Sequence, residues 1–264
     1  MMIPLTVGIR LLYEAQALEN HKTGKETMEL MNGWRVKYGV FTLAVILFCL
    51  IPMAGAGAPQ QGFYTILVDP AHGGDDPGVM SDKLREKELT LNLALLVREE
   101  AQKIPGLQVQ LTRSTDRTLS IAERVKAAGT MKADALLSLH VNAGFGKKAS
   151  GYEVYFPGFR QSVPGGGDSS PIIKDMARNT SLNDSVRLAQ RIQSALETVF
   201  PRKGRGLRDA PSPLWDGLTI PGLVVEIGFA TDPDDRKRLT EEQTQRAVAR
   251  ALVMGLRDYF RKAP

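Results

Sequence analysis

Two of the three histidines in the 264-residue chain, His72 and His140, stand where an apolar run gives way to a turn. The run that ends at Asp69 leads to His72 and a glycine-rich turn, and the run 135–139 leads directly to His140. In α/β proteins such runs are buried strands, and functional side chains collect at their carboxyl ends. Two imidazoles delivered in the same way therefore predict a catalytic or metal-binding site.

A carboxylate is the ligand that would complete such a metal site. Two neutral imidazoles and one carboxylate form a usual ligand set of catalytic zinc, with a fourth position open to water. Glu86 and Glu88 open the helix that follows the first histidine loop, and from spacing alone either is able to reach the metal. Acidic residues in a first helical turn also complement the helix dipole, so a structural role stays open for both. The only cysteine, Cys49, excludes a thiolate site within the chain.

The carboxylate of Glu226 is the candidate general base. A metal-activated water needs a group that accepts its proton and passes it to a leaving amine. Glu226 lies within an apolar strand, where a carboxylate is costly unless it is functional or forms a salt bridge. Asp69, three residues before His72, either orients an imidazole or forms a turn. Asp75 and Asp76 are typical of turns, with a further metal contact as the alternative.

Alternating strand and helix patterns from Tyr64 onward predict the elements that position these residues. They predict an α/β fold with a single open, twisted, mostly parallel sheet covered by helices on both faces, and a zinc site at the strand carboxyl ends. The predicted strands are 64–69, 108–112, 135–139, 152–156 and 223–227, and the predicted helices are 86–103, 119–128, 184–199 and 239–261.

Residues 157–183 interrupt this alternation with glycine, proline and serine, and with a short predicted helix at 172–178. A connection of this length inside a compact domain is usually functional or mobile. The alternatives are a lid, a docking element for a regulatory protein partner, and a plain surface excursion.

The N-terminal part has the pattern of a secretory signal: a basic stretch, a short apolar run and a run of small residues. An uncleaved membrane anchor is the alternative. Because a signal begins near the first residue, we hypothesise that translation starts at Met31 or Met28. The location is then the periplasm or cell envelope. The predicted parts are an upstream extension assigned in error (1–30), a signal peptide or N-terminal anchor (31–58), a linker (59–63) and a catalytic domain (64–264).

Composition is that of an ordinary globular domain, with 43% hydrophobic and 24% charged residues. The roughly 200 residues after the signal are enough for one domain with a full core. The formal net charge of +5 arises from 34 basic and 29 acidic residues spread along the chain. This balance does not predict a nucleic-acid partner.

Five sequence blocks between Tyr64 and Phe260 resemble, in order, those of the zinc-dependent N-acetylmuramoyl-L-alanine amidases, a family of bacterial cell-wall hydrolases. Pro70 stands where the family usually has a small residue, and the turn after Phe229 lacks the family's common asparagine. Neither change removes a catalytic group. The blocks are Asp69-Pro70-Ala71-His72-Gly73-Gly74, Asp76-Pro77-Gly78, Glu86-Lys87, Ser138-Leu139-His140-Val141-Asn142-Ala143 and Val225-Glu226-Ile227-Gly228-Phe229.

The resemblance implies Zn²⁺ as the cofactor and peptidoglycan as the substrate. Its zinc ligands fall on His72, Glu86 and His140, which resolves the choice at the helix start, and its catalytic glutamate falls on Glu226. The bond implied is the amide between the lactyl group of N-acetylmuramic acid and L-alanine of the stem peptide.

Three further residues are candidates for supporting the zinc ligands or contacting substrate: Asp69, Asn142 and Arg124. The competing functions are a zinc peptidase of stem peptides and a catalytically inactive wall-binding module. The inactive module is expected to lack a ligand or the base, yet all four residues are present. Physiological task, stem-peptide preference and oligomeric state are left open.

Overall fold

The apolar runs predicted as strands assemble into a six-stranded sheet. The structure, a computed structural model, describes residues 63–82, 84–144, 149–158 and 170–261, with the backbone alone for 170–179. A separate antiparallel hairpin is formed by the second and third strands. In chain order the strands are β1 (Tyr64–Pro70), β2 (Met80–Ser81), β3 (Leu84–Arg85), β4 (Leu107–Leu111), β5 (Ala135–Asn142), β6 (Tyr152–Pro157), β7 (Gly204–Ala210) and β8 (Gly222–Phe229).

Helices connect and cover these strands. The helix at Ile121–Thr130 begins with a capping box. In it, the Ser120 hydroxyl accepts from the backbone N–H of Glu123, and the Glu123 carboxylate accepts from the backbone N–H of Ser120. In the described part of the chain the α-helices are α1 (Glu86–Ala101), α2 (Ile121–Thr130), α3 (Ser170–Leu196), α4 (Pro233–Thr240) and α5 (Glu242–Phe260), with a 3-10 helix at Pro213–Trp215.

The sheet is mostly parallel, in the order β4-β1-β5-β8-β6-β7. Strands β4, β1, β5 and β8 run parallel to one another, β6 pairs antiparallel with β8, and β7 runs parallel to β6. The carboxyl ends of four strands therefore meet the amino ends of β6 and β7 at one edge. The predicted open, mostly parallel sheet with helices on both faces is confirmed.

Alternation of side chains along the strands divides the core into two layers. Ile66 and Val68 of β1 belong to the larger layer, which packs against α1, α3 and α5. Leu67, between them, belongs to a smaller layer with Leu136, Ala128 of α2 and Leu214 of the 3-10 helix. On this smaller side the apolar residues come early in β1 and β5, so the positions nearer the carboxyl ends are left for polar side chains.

The predicted boundary between loop and helix at residue 184 is wrong, because α3 already begins at Ser170 and includes the predicted short helix at 172–178. Pro171 is tolerated there since the first turn needs no N–H donor. Residues at helical spacing from Leu182 to Leu196 are buried against the sheet, which extends the amphipathic pattern. Residues 159–169, the rest of the predicted lid, lie outside the described residues.

The last predicted helix, 239–261, corresponds to α5 (Glu242–Phe260), and a separate short helix, α4 (Pro233–Thr240), that was not predicted precedes it. Asp232 caps α4 by accepting from the backbone N–H of Asp235, and Pro233 occupies the first turn. Glu241 has an extended backbone and separates α4 from α5. Strand β7 was not predicted because Gly204–Ala210 lacks apolar alternation and lies at the edge of the sheet, paired with β6 alone.

The predicted upstream extension, the signal or anchor and most of the predicted linker fall in residues 1–62, outside the described residues. The described residues lie in the unit Gln61–Pro264. None of the helices in this described part combines the length and hydropathy needed to span a membrane.

Gly255 marks the close crossing of α5 and α3. A Cβ added to Gly255 would lie 2.9 Å from Ile192 Cδ1 and 3.1 Å from the Arg191 carbonyl oxygen. We expect Gly255→Ala to lower the free energy of unfolding by about 1–2 kcal/mol, because overpacking outweighs the better helix propensity of alanine. Chemical denaturation followed by circular dichroism measures this change.

Gly129 of α2 provides the control, since nothing lies within 4 Å of a Cβ added there. Gly129→Ala should raise the free energy of unfolding by about 0.5–1 kcal/mol. Stabilisation of both variants to the same extent would contradict the close contact of α3 with α5.

Candidate metal centre and its supporting side chains

Three predicted ligands meet at the carboxyl edge of the sheet. His72 follows β1, His140 lies near the end of β5, and Glu86 is the first residue of α1. One ligand atom from each lies within 4.8 Å of the others. The imidazoles keep a quarter of their side-chain surface exposed, whereas Glu86 is 1% exposed. The cluster is thus open on the histidine side and closed on the glutamate side.

Glu86 is held by four nitrogen atoms. Its Oε2 lies 3.1 Å from His72 Nε2 and accepts from the backbone N–H of Val79 at 2.8 Å. Its Oε1 lies 3.1 Å from His140 Nδ1 and accepts from the backbone N–H of Val141 at 2.9 Å. Burial would raise the pKa of Glu86, but these hydrogen bonds outweigh it and lower that pKa to about 2. The result is an ionised carboxylate directed between two imidazoles, which is the donor set expected to bind a cation.

His72 is fixed from its other ring nitrogen by Asp76. Asp76 Oδ2 lies 2.7 Å from His72 Nδ1, and Asp76 Oδ1 accepts from the Gly78 N–H. The hydrogen bond to Glu86, followed by that to Asp76, raises the pKa of His72 to about 9 against the opposing effect of burial. Orientation of a ligand histidine by a carboxylate is a common feature of metal sites. Asp76, rather than Asp69, holds this position.

The loop around His72 depends on backbone conformations that favour glycine. His72 itself has φ +60°, which is uncommon for a residue with a side chain. Gly78 has φ +65°, and a Cβ there would lie 2.6 Å from both Glu86 Oε2 and the His72 ring. Only glycine therefore allows the loop to pass this close to the ligands.

Asp69 lies below the metal-ligand cluster and makes no contact with either imidazole. Its Oδ1 accepts from Thr112 Oγ1 at 2.6 Å and from Arg124 Nη1 at 2.5 Å, and its Oδ2 accepts from Ser138 Oγ at 2.8 Å. Asp69 is 2% exposed, so a carboxylate charge here requires these partners. The side chain thereby joins β1, β5 and α2.

Two buried arginines hold the chain between β1 and His72. Arg124 donates to the carbonyl oxygens of Pro70 at 3.0 Å and His72 at 2.8 Å. Arg113 is 1% exposed and donates to the carbonyl oxygens of Pro70 at 2.9 Å and Ala71 at 2.8 Å. These donors bind carbonyl groups at the end of β1 and in the loop that follows it. Arg124 therefore acts on the ligand loop through its backbone.

Glu226 lies next to His140 in the β5–β8 pairing. Its Oε2 is buried and has no hydrogen-bond partner in the part of the chain that the structure describes. Burial raises the pKa of Glu226 to about 7; His140 opposes this rise, and the neighbouring carboxylates Glu86 and Glu153 add to it. A carboxyl group of this pKa is suited to accept a proton and to give it back near neutral pH.

Asn142 contacts Glu153, a residue that the sequence did not single out. Asn142 Nδ2 donates to Glu153 Oε2 at 3.0 Å, and Glu153 lies opposite Glu226 in the antiparallel β6–β8 pair. His140, Glu226 and Glu153 thus form a row across three strands. Burial would raise the pKa of Glu153, but hydrogen bonds from Tyr155 and Arg205 help to lower it.

The structure therefore brings His72, Glu86, His140 and Glu226 to one edge of the sheet. It places Asp69 and Arg124 beneath them and Asn142 to one side. Sequence reasoning considered Asp76 as a turn residue or metal contact but missed it as the partner of His72, and it missed Arg113 and Glu153, whose partners are distant in the sequence. A signal for Glu153 is present in the sequence, since its carboxylate interrupts the apolar run of the predicted strand 152–156.

Fold and site together define a class of protein. An α/β sheet whose carboxyl edge holds a His–Glu–His cluster beside a buried carboxylate is the arrangement of metal-dependent hydrolases. The family model described as N-acetylmuramoyl-L-alanine amidase matches residues 66–258. The chain belongs to this amidase family.

Individual relatives agree with this assignment. The chain is 30% identical to the Bacillus subtilis protein YqiI over 226 residues, which cover 86% of this chain and 98% of YqiI. It is 30% identical over 197 residues to the Bacillus subtilis N-acetylmuramoyl-L-alanine amidase LytC, covering 75% of this chain and 36% of LytC. The chain therefore spans little more than a third of LytC.

Solved structures give the same result. An N-acetylmuramoyl-L-alanine amidase from Clostridium difficile 630 superposes with a TM-score of 0.64 at 27% identity, covering 76% of this chain and 98% of that one. The CwlD amidase from Clostridioides difficile, solved in complex with the GerS lipoprotein, has a TM-score of 0.62 at 25% identity, covering 74% and 98%. The predicted family and its class of activity, an amidase that hydrolyses the cell wall, are confirmed.

The contact between Arg124 and Asp69 allows a test of the loop support. We expect Arg124→Met to lower the free energy of unfolding by about 3–5 kcal/mol, because it leaves the Asp69 carboxylate buried without its cation. Lys126→Met is the matched control on an exposed position of α2 and should change it by less than about 0.5 kcal/mol. Urea denaturation measures both, and equal losses would contradict a stabilising role for the buried pair.

Asp76 allows a test of ligand orientation. Asp76→Ala removes the partner of His72 Nδ1 and should weaken the affinity for added zinc by about 10–100-fold. Competition with a chromogenic chelator measures this affinity. Asp75→Ala, at the neighbouring exposed position, is the control and should leave it unchanged. The same affinity in both variants would remove Asp76 from the site.

Proposed function

We propose that the chain hydrolyses the amide between the lactyl group of N-acetylmuramic acid and L-alanine of the peptidoglycan stem, with Glu226 as general base and acid. The observation that supports this most is the position of Glu226 beside His140, next to the His72–Glu86–His140 cluster. Its Oε2 is buried and has no hydrogen-bond partner among the described residues. Family membership supports the identity of the substrate.

We propose that His72, Glu86 and His140 bind one Zn²⁺ ion. The donor set fits, since two imidazole nitrogens and one ionised carboxylate oxygen lie within 4.8 Å of one another. Asp76 supports the fit because it fixes one ring of the set. When bound, a zinc ion supplies Lewis-acid chemistry, lowering the pKa of water and polarising a carbonyl group.

The protein's own groups then move the proton. Glu226 accepts a proton from the attacking water as the water oxygen bonds to the amide carbonyl carbon. The carbon–nitrogen bond breaks, and Glu226 delivers the proton to the departing alanine nitrogen. The products are a lactyl carboxylate and a peptide with a free amino terminus. Burial of Glu226, which favours its neutral form, assists the acceptance of the proton.

Export is part of the proposal, because the substrate is found in the cell envelope and residues 31–58 have the pattern of a signal. We propose the periplasm or cell envelope as the location. A regulatory protein partner acting near residues 157–183 is also proposed. It is supported by the relative CwlD, which was solved in complex with a lipoprotein. If a variant in which residues 160–168 are replaced by a short glycine–serine linker responds to cell extract in the same way as the wild type, that regulation is contradicted.

Glu226→Gln tests the proposed chemistry. The variant keeps the shape of the side chain but cannot accept a proton, so we expect release of dye-labelled peptidoglycan fragments to fall by about 10²–10⁴-fold. Its zinc content should equal that of the wild type, since Glu226 is not a proposed ligand. Glu242→Gln, at a side chain 76% exposed on α5, is the control and should retain full activity.

Chelation and product masses complete this test. A chelator should abolish wild-type activity and added zinc should restore it. Products with an intact alanine amino terminus identify the amidase reaction, whereas shortened stem peptides would identify a peptidase instead. Unchanged activity of Glu226→Gln would remove this residue from the mechanism.

A further inference from the structure

The row of side chains on the catalytic face continues beyond Glu226 to the edge strand β7. Glu153 lies opposite Glu226, and two arginines of β7, Arg205 and Arg208, lie beside Glu153. Adjacent strands are about 4.8 Å apart, so β7 lies about 10 Å from the strand of Glu226. The catalytic face therefore ends in a pair of positive charges.

One of these arginines is sufficient to balance the charge of Glu153. Arg205 Nε donates to Glu153 Oε1 at 2.7 Å. Glu153 Oε2 accepts from Asn142 at 3.0 Å and from the Tyr155 hydroxyl at 2.6 Å. The Arg205 guanidinium also lies 5.2 Å from the centre of the Phe229 ring, which fixes it further. Glu153 is 3% exposed and is satisfied without a second cation.

Arg208 is the second cation, and its guanidinium is held by Glu153 less closely than that of Arg205. Its one ion pair is with the same Glu153 oxygen at 3.5 Å, and it makes no hydrogen bond within the described residues. The side chain is 49% exposed. Arg208 pairs with Tyr155 in the parallel β6–β7 register, which places both side chains on the face that holds Glu226. An arginine presents five N–H donors in a planar fork that matches a carboxylate.

We infer that Arg208 binds a carboxylate of the stem peptide, at the residue that follows L-alanine. This inference rests on the proposed function. An extended peptide advances about 3.5 Å per residue, so a group two residues from the cleaved bond lies about 7 Å from it, which is within reach of a long side chain on β7. A free carboxylate at this position of the stem would pair with the exposed Arg208 guanidinium, whereas an amide would leave the charge of the guanidinium without a counter-charge. Arg208 is thus a specificity-determining residue for stems whose second residue carries a free carboxylate.

The test uses two disaccharide–peptide substrates that differ at one group. The first has D-isoglutamate as the second stem residue, and the second has D-isoglutamine. For the wild type we expect kcat/KM to be at least about tenfold higher for the first, because charge-assisted hydrogen bonds contribute that much. Arg208→Gln should raise KM for the first substrate about tenfold, change kcat less than twofold, and remove the preference.

Two further variants define the interpretation. Arg208→Lys keeps the charge but not the fork and should retain part of the preference. Arg250→Gln should retain the whole preference. Arg250 is exposed, and its helix, α5, packs against the opposite face of the sheet. Thermal unfolding of each variant should match the wild type, since Arg208 is half exposed.

The failure of this inference is distinguishable from failure of the proposed function. If the wild type releases peptides with a free alanine amino terminus and Glu226→Gln does not, the proposed function holds whatever Arg208 does. Equal loss on both substrates in Arg208→Gln, or no loss on either, would then overturn the carboxylate site. A preference that depends on Arg208 but follows amidation of the third stem residue would also overturn it.

Discussion

The burial of one carboxylate constrains the whole site. Glu86 is 1% exposed, and a charge removed from water to this extent destabilises the fold unless other groups replace its hydration. The replacements come from two separate segments, the loop after β1 and the end of β5, and the carboxylate itself comes from a third, the first turn of α1. These segments must meet for the buried carboxylate to be tolerated. The contacts that allow the chain to fold are therefore the same contacts that bring the three candidate ligands together.

The sheet supplies the rest of this geometry through its register. In a parallel pair, side chains in register point to the same face, so His140 and Glu226 lie side by side on β5 and β8. The loop after β1 has no such register to fix it. Its carbonyl oxygens are instead bound by Arg113 and Arg124, and the Asp69 carboxylate retains Arg124 beneath the loop.

Local patterns were enough to predict five of the eight strands that the structure describes, and the residues that end them. His72, His140 and Glu226 each stand out because a polar group interrupts or closes an apolar run. The contribution of Glu153 depends on which element folds back beside which, and one sequence does not contain that distance information. Asp76 is only four residues from His72, but its role depends on the positive-φ conformation of the loop, which its turn-like sequence does not specify. Asp69 was a candidate for the residue that orients His72 because it lies three residues before it. In the structure Asp76 contacts His72, and Asp69 instead accepts a hydrogen bond from Thr112. The start of α3 was missed because polar residues from 170 to 183 concealed a helical pattern.

Glu153 and Glu226 are chemically identical side chains whose surroundings shift their pKa values in opposite directions. They lie opposite each other on neighbouring strands and both are largely removed from water. Glu153 accepts from Arg205, Tyr155 and Asn142, so its negative charge is fixed. Glu226 has no such donor on its Oε2, and burial beside this fixed charge favours its protonated form. One carboxylate therefore has a permanent charge and the other is free to gain and lose a proton, which is the property that a general base and acid requires.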